Sequence, residues 1–288
     1  MCARPAPPAS RLALRVAVAG LAAAACVAAP PADRSGPARR VVSLSPAFTE
    51  LLFAIGAGER VVGRTAWCDT PPEALAVPSV GDGLNPNVEA VVARTPDLVV
   101  FYASGANTSA VERLAALGVP SRTLPMDRLD DVPAAARTLG RATATWTRAD
   151  SLAAAFELAL DSARAAPHAA TAPRVLLLAW NEPPIVIGGG SFQTELVTLA
   201  GAVNVFGDLP QPSAPVTVEA IAARDPDLIV LLDADGIPAW TDRPEWRAVR
   251  AVRERHFLPV RGSAFARPTL RALEAVRALQ AALDGAAP

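Results

Sequence analysis

The chain says one thing twice. Residues 88–100 read VEAVVARTPDLVV and residues 218–230 read VEAIAARDPDLIV, identical at 9 of 13 aligned positions and 130 residues apart. In each copy, apolar residues at i, i+3 and i+4 specify a short amphipathic helix, proline stops it, and the apolar run after Pro-Asp specifies a buried strand. The flanks repeat as well: RVVSLSP from Arg40 parallels RVLLLAW from Arg174, and TELLFAIGAGERVVG from Thr49 parallels TELVTLAGAVNVFG from Thr194. Repeated βαβ units of a single sheet recur about every 30 residues. A period of 130 therefore predicts two similar Rossmann-like α/β lobes, in place of one doubly wound sheet.

Between the two copies lies DDVPAAARTLGRATATWTRADSLAAAFELALDSARAAPHAATAP. Asp131 and Pro133 start a helix that ends near Gly140. A second starts near Asp150, with an apolar face at Leu152, Ala155, Phe156, Ala159 and Leu160, and meets no breaker before Pro167. About 18 helical residues span about 27 Å, so this segment reads as a rigid strut between the lobes, unlike a Gly/Ser linker. Trp146 is expected to pack at its foot. The expected organisation is a leader and short linker over 1–35, an N-terminal lobe over 36–145, the backbone helix over 146–168 and a C-terminal lobe over 169–288.

The leader is marked by Arg11 and Arg15 ahead of an uncharged run from Val16 to Ala29, too short to span a bilayer comfortably but suited to a secretory signal peptide. Export follows, to the periplasm or to a lipid anchor on the membrane surface. AAAC ending at Cys26 resembles the lipoprotein signal-peptidase box, although Ala23 stands where leucine is usual; cleavage near Ala25 or Ala29 is the alternative. Cys2 leaves with the signal and Cys68 remains alone, so no internal disulfide forms and packing alone must hold the fold. The net charge is −1 and the chain contains no lysine, so there is no basic stripe for nucleic acid. With only His168 and His256, it is also poor in ligands for a bare zinc or manganese ion.

Four motifs in order resemble one family: SLSPAFTE at 43–50, WCDTPPEA at 67–74, VGDGLNPNVEAVVARTPDLVV from Val80, and VTVEAIAARDPDLIV in the second half. The chain resembles the substrate-binding proteins of ABC importers whose two lobes are joined by one long helix, which carry vitamin B12, haem or iron-siderophores, and is closest to the cobalamin-binding branch. The resemblance implies a monomeric binding protein, a ligand cleft between the lobes, and a permease dimer with its ATPase as partner. It also implies a purpose for the doubled glutamate: Glu89 and Glu219, one per lobe, would dock on arginines of the permease. A first-turn glutamate is also favoured by the helix dipole alone. Arg94, Asp97, Arg224 and Asp227 read as turn and capping chemistry.

The ligand is expected at loops following the strands' carboxyl ends. Trp67, Tyr102, Trp180, Phe192, Phe265 and Arg267 occupy such loops. Aromatic faces there suit a large planar macrocycle, each against the plain alternative of core packing. The expected ligand is a cobalt corrinoid, with haem or a ferric siderophore open; the protein itself needs no cofactor. Gly83 and Ser213 stand where the B12-binding pattern often has tryptophan, and Ser263 where it has aspartate. Trp240 and Trp246 read as a lid or a surface loop. Cys68 is either a small buried hydrophobe or a thiolate ligand. His256 borders a strand. IGGGSF at 187–192 lacks the lysine of a phosphate loop and reads as a tight turn before a helix. A secreted α/β enzyme is the competing class, but the chain has no nucleophile elbow, metal-ligand cluster or carboxylate pair beyond the symmetric glutamates.

Overall fold

A computed structural model describes residues 36–167, 171–232, 236–260 and 262–286. The signal peptide, Cys26 and His168 lie outside the described residues, as does the side chain of Ser263. Among the described residues the strands are β1 Val41–Ser43, β2 Val61–Arg64, β3 Leu98–Tyr102, β4 Ser121–Leu124, β5 Arg174–Asn181, β6 Pro184–Ile187, β7 Val203–Asn204, β8 Ser213–Pro215, β9 Leu228–Leu232 and β10 Phe257–Val260. The α-helices are α1 Pro46–Ala54, α2 Val88–Val92, α3 Thr108–Ala116, α4 Asp131–Ala142, α5 Trp146–Arg164, α6 Phe192–Leu199, α7 Val218–Arg224, α8 Arg250–Arg253, α9 Ser263–Ala266 and α10 Ala272–Ala286.

The strands make two sheets. The first runs β2-β1-β3-β4, all parallel. The second runs β10-β9-β5-β6-β8, with β7 beside the start of β5. In it β10, β9, β5 and β7 repeat the parallel order of β4, β3, β1 and β2, while β6 and β8 add an antiparallel extension to the far end of β5. The extension was not read from sequence, because PIVI and SAP are short and begin or end on proline, which weakens any strand signal.

The repeated segment folds the same way in both halves. Asn87 caps α2 by accepting from the Ala90 amide, and Thr217 caps α7 by accepting from the Ala220 amide. Each helix then ends in a left-handed residue, Thr95 at φ 46° and Asp225 at φ 43°. Past the proline, the Asp97 carboxylate accepts from the Arg39 and Arg40 amides and Asp227 accepts from the Arg174 amide, tying each helix end to the start of the neighbouring strand. Arg40 and Arg174 donate to the helix-terminal carbonyls of Arg94 and Arg224. The Asp of each copy is thus turn chemistry, whereas the Arg224 guanidinium, expected at the turn, instead pairs with Asp208 and lies over the Phe206 ring.

α4 and α5 carry the chain from one sheet to the other. Here the structure corrects two expectations. α5 begins at Trp146, not near Asp150, and its buried face is Ala149, Ala153, Phe156 and Leu160, leaving Ala155 and Ala159 exposed. α4 and α5 meet at very close range: a Cβ on Gly140 would fall 2.3 Å from the Ala149 Cβ. Trp146, at the start of α5, is 58% exposed instead of packed. Arg137 bridges the pair of helices by a bidentate contact to Glu157, at 2.5 and 2.8 Å.

Three apolar cores result. One lies on the outer face of the first sheet around Val42, Val99 and Phe101. Another backs the second sheet around Leu176, Ile229 and Trp246. The third is shared, running from Val41 and Leu52 through Leu139 and Phe156 to Val175 and Leu196. Trp246 is 1% exposed, with the Trp240 ring 4.3 Å away, so that tryptophan is a core residue and not part of a lid.

Candidate ligand cleft

The loops that follow the carboxyl ends of β1, β2, β3 and β4 converge on the loops that lead into α6 and follow β10. Between them is a cleft of about 560 Å³. Trp67, Tyr102, Phe192 and Arg267 line it together with Ser45, Asp69, Asp127 and Ser191. Trp67 stands 69% exposed on the loop after β2. Phe192 opens α6 behind Ser191, whose hydroxyl accepts from the Gln193 amide as N-cap.

The polar groups form two pairs. Arg267 donates through Nη2 to Asp69 at 3.0 Å, joining the two halves across the cleft, while its Nη1 is buried without a hydrogen-bond partner. Burial works against the charge on Asp69, but the charge and hydrogen bond of Arg267 outweigh it and hold the carboxyl below its ordinary range. The Tyr102 hydroxyl donates to Asp127, in a short contact. Burial first, and then the Asp127 hydrogen bond and charge, push the phenol up to about 12, so it remains a donor across the physiological range. Asp127 also accepts, through its backbone carbonyl, from the Phe192 amide at 2.7 Å.

Two expected residues lie elsewhere. Phe265, on the one-turn helix α9, is 3% exposed and belongs to the shared core, so its neighbours Ala266 and Arg267 face the cleft in its place. Trp180, near the end of β5, is 60% exposed and donates its indole N–H to the Glu182 carbonyl, bracing the turn into β6. Gly83 could not carry a tryptophan on this backbone, since even a Cβ would meet the Leu44 carbonyl oxygen at 2.5 Å. Ser213 begins the antiparallel strand β8. The triple glycine 188–190 lies against the 207–212 segment so tightly that each Cβ would come within 2.4 Å of a backbone oxygen, which makes it a packing device. Cys68 is fully buried, with its Sγ 3.1 Å from the hydroxyls of both Thr49 and Thr65. His256 precedes β10 and faces the Asp227 carbonyl. Among the described residues no cluster of His, Cys, Asp or Glu could hold a metal ion, and no helix is long and apolar enough to cross a membrane.

Asp69, Asp127 and Ser191 were missed by a search for aromatics. Their signal was positional: each lies in a loop that a parallel strand or a glycine turn aims at the same edge.

Glu89 and Glu219 are both exposed at the second position of their helices. The backbone at its own position and then the Thr217 hydroxyl hold the Glu219 carboxyl below the ordinary range.

The periplasmic binding protein family matches residues 41–261. Vitamin B12-binding proteins of Pectobacterium carotovorum and Pectobacterium atrosepticum are 31% and 32% identical, over 67% of this chain and 71% of theirs. Among solved structures, the periplasmic vitamin B12 binding protein of Vibrio cholerae superposes with a TM-score of 0.72 at 25% identity, covering 87% of this chain and 98% of that one. The periplasmic heme-binding protein of Roseiflexus sp. RS-1 superposes with a TM-score of 0.76 at 26% identity, over 88% of this chain and 100% of that one.

Proposed function

Because the chain belongs to the periplasmic binding protein family, we propose that it is the substrate-binding component of an ABC importer and that it captures a corrinoid in the cleft between its halves. The observation that carries this reading is the charge of the cleft. Two carboxylates, Asp69 on Arg267 and Asp127 on the Tyr102 hydroxyl, line the cleft with that single guanidinium beside the rings of Trp67 and Tyr102. A corrin offers a broad apolar face rimmed by uncharged amide arms, which can both donate to carboxylates and accept from Arg267 and Tyr102. Haem brings two carboxylates and a ferric catecholate a net negative charge, each of which calls for several arginines. The B12-binding relatives point the same way.

Haem is the second reading, favoured by the heme-binding protein of Roseiflexus sp. RS-1, which superposes with a TM-score of 0.76 at 26% identity. The two readings part in one experiment. Purified protein is incubated with cobinamide, cyanocobalamin, haemin or a ferric catecholate, desalted, and read for co-eluting absorbance and for a raised melting temperature. Corrinoid colour retained with a raised Tm supports the proposal; haemin retained while both corrinoids wash through would reject it.

Delivery rests on Glu89 and Glu219. Their equivalent places on α2 and α7, exposed and just past a side-chain cap, suit a two-fold permease that presents the same basic site twice. The N-terminal signal would place the protein outside the cytoplasm, as do the Vibrio cholerae and Roseiflexus proteins that are named as periplasmic. The relatives are binding proteins.

A further inference from the structure

The two carboxylates of the cleft differ in what holds them. Asp69 pairs with Arg267 at 3.0 Å, so its charge is met within the protein. Asp127 takes the Tyr102 hydroxyl, a neutral donor, on Oδ1; among the described residues Oδ2 has no hydrogen-bond partner and no cation pairs with the carboxylate. Arg128, next in sequence, is turned away to Glu195 and the Gly189 carbonyl. Asp127 is half-buried and lines the cleft, and Oδ2 is not among the polar atoms sealed from solvent. Its position is fixed from both halves. The Asp127 amide donates to the Asp131 carboxylate at the start of α4 at 2.9 Å, and its carbonyl accepts from the Phe192 amide at the start of α6 at 2.7 Å. The Tyr102 phenol, pushed up to about 12 by burial and then by Asp127, keeps its proton and holds the carboxylate in place.

Resting on the corrinoid reading, we propose that Asp127 is a specificity-determining residue: Oδ2 accepts the N–H of one amide arm of the macrocycle, and the cleft selects a corrinoid amidated at that arm over one that carries the acid. An N–H given to a carboxylate makes a charge-assisted bond, roughly twice as strong as one between neutral groups. A carboxylate arm of the same shape has no donor at neutral pH. It leaves the Asp127 acceptor unmatched and sets one negative charge against another. Asp69 cannot draw that distinction, because Arg267 beside it would pair with an acid arm as readily as Asp69 takes an amide. Selection therefore falls to the carboxylate whose neighbour is a phenol.

The test uses cobinamide and its monocarboxylates, in which one amide arm at a time is hydrolysed to the acid and the shape is kept. Affinities are measured by calorimetry on the intact protein at neutral pH. Cobinamide is expected to bind, and the acid at one arm to bind at least about thirtyfold more weakly. Asp127→Asn keeps the size of the side chain and the main-chain contacts of the loop while removing the charge. It should bring that acid to within about threefold of cobinamide at an unchanged Tm. Asp69→Asn should not rescue the same acid. A wild type that binds every monocarboxylate as tightly as cobinamide, or penalties that Asp127→Asn leaves standing for all of them, would overturn the proposal. Rescue by Asp69→Asn alone would move the role to Asp69 and overturn it equally. If the wild type retains no cobinamide, the corrinoid reading itself is rejected and this inference falls with it, a result distinct from cobinamide bound without discrimination.

Discussion

Trp67 owes its place to the loop after β2, where almost nothing covers it. An exposed tryptophan contributes little to folding but offers a wide face to a flat ligand. Trp67→Ala should therefore leave the melting temperature of the free protein unchanged and weaken corrinoid binding by about 2 kcal/mol, roughly 30-fold in Kd. Equal loss of stability and affinity would mean that the ring packs against the fold instead. Glu50 behaves in the opposite sense. Its folded-state pKa is raised above the model-compound value of 4.5, so the stability it contributes is fully present below about pH 4.5 and is lost as pH rises through the folded value. Glu50→Gln cannot lose what it does not titrate. The difference in Tm between Glu50→Gln and wild type should be near zero at pH 4 and grow in favour of the variant toward pH 8; a difference independent of pH would refute the assignment. Trp67, Tyr102 and Arg267 were legible as lining the cleft because the ends of parallel strands converge on one edge, while Phe192 follows the antiparallel β6 and is mostly buried in the shared core. Phe265 was not legible, because within a four-residue turn of helix the sequence does not say which side chain faces the core.

At the scale of the element, the repeated helix, turn and strand are held by the same contacts in both halves, and the sequence displayed nearly all of them. Proline and aspartate in RTPD and RDPD mark the stop, and the aspartates then accept amides at the start of β1 and β5. Asp97→Ala and Asp227→Ala should each cost about 1–3 kcal/mol, read as a lower urea midpoint at unchanged m-value, because each leaves a strand-edge amide without its acceptor. The costs should add in the double variant, since the two sites share no partner. The outward-facing glutamates of the same helices make a different prediction. Glu89→Arg with Glu219→Arg should leave ligand affinity and Tm unchanged and abolish uptake in cells that carry the permease. Loss of ligand binding in step with uptake would remove the docking role. What remained illegible at this scale was the antiparallel extension of β6 and β8, whose strands are too short and proline-bound to show a period.

For the whole molecule, the flanks that precede each copy of the repeat carry a further pair. Thr-Glu-Leu occurs at 49–51 on α1 and at 194–196 on α6, and each glutamate turns inward toward the other half. Glu50 faces Thr269 and Arg271 beyond β10. Glu195 accepts from the Leu129 amide at 2.9 Å and pairs with Arg128, both beyond β4, while Arg128 donates to the Gly189 carbonyl and Asp127 accepts from the Phe192 amide. The tandem order thus makes a reciprocal pair of crossings, the loop after the last strand of each half seated on the first helix of the other, and the shared core runs beneath both. No local pattern could have announced this, because the partners are 66 residues apart in sequence and meet only when both halves are folded. With α4 and α5 packed along the same core, such crossings leave room for small adjustments of the halves and little for a wide swing. Glu195 tests it. Glu195→Ala strips the acceptor from a half-buried Leu129 amide and the charge from Arg128, and should cost about 1–3 kcal/mol of stability. The loss should be localised: the amides of residues 127–129 and 189–195 should exchange faster with solvent, while those of β1, β3, β5 and β9 keep their protection. If those residues kept their protection and the strands lost theirs, the crossing would be incidental to how the halves are held. If the variant retained both its stability and its exchange pattern, α4 and α5 alone would be setting the width of the cleft.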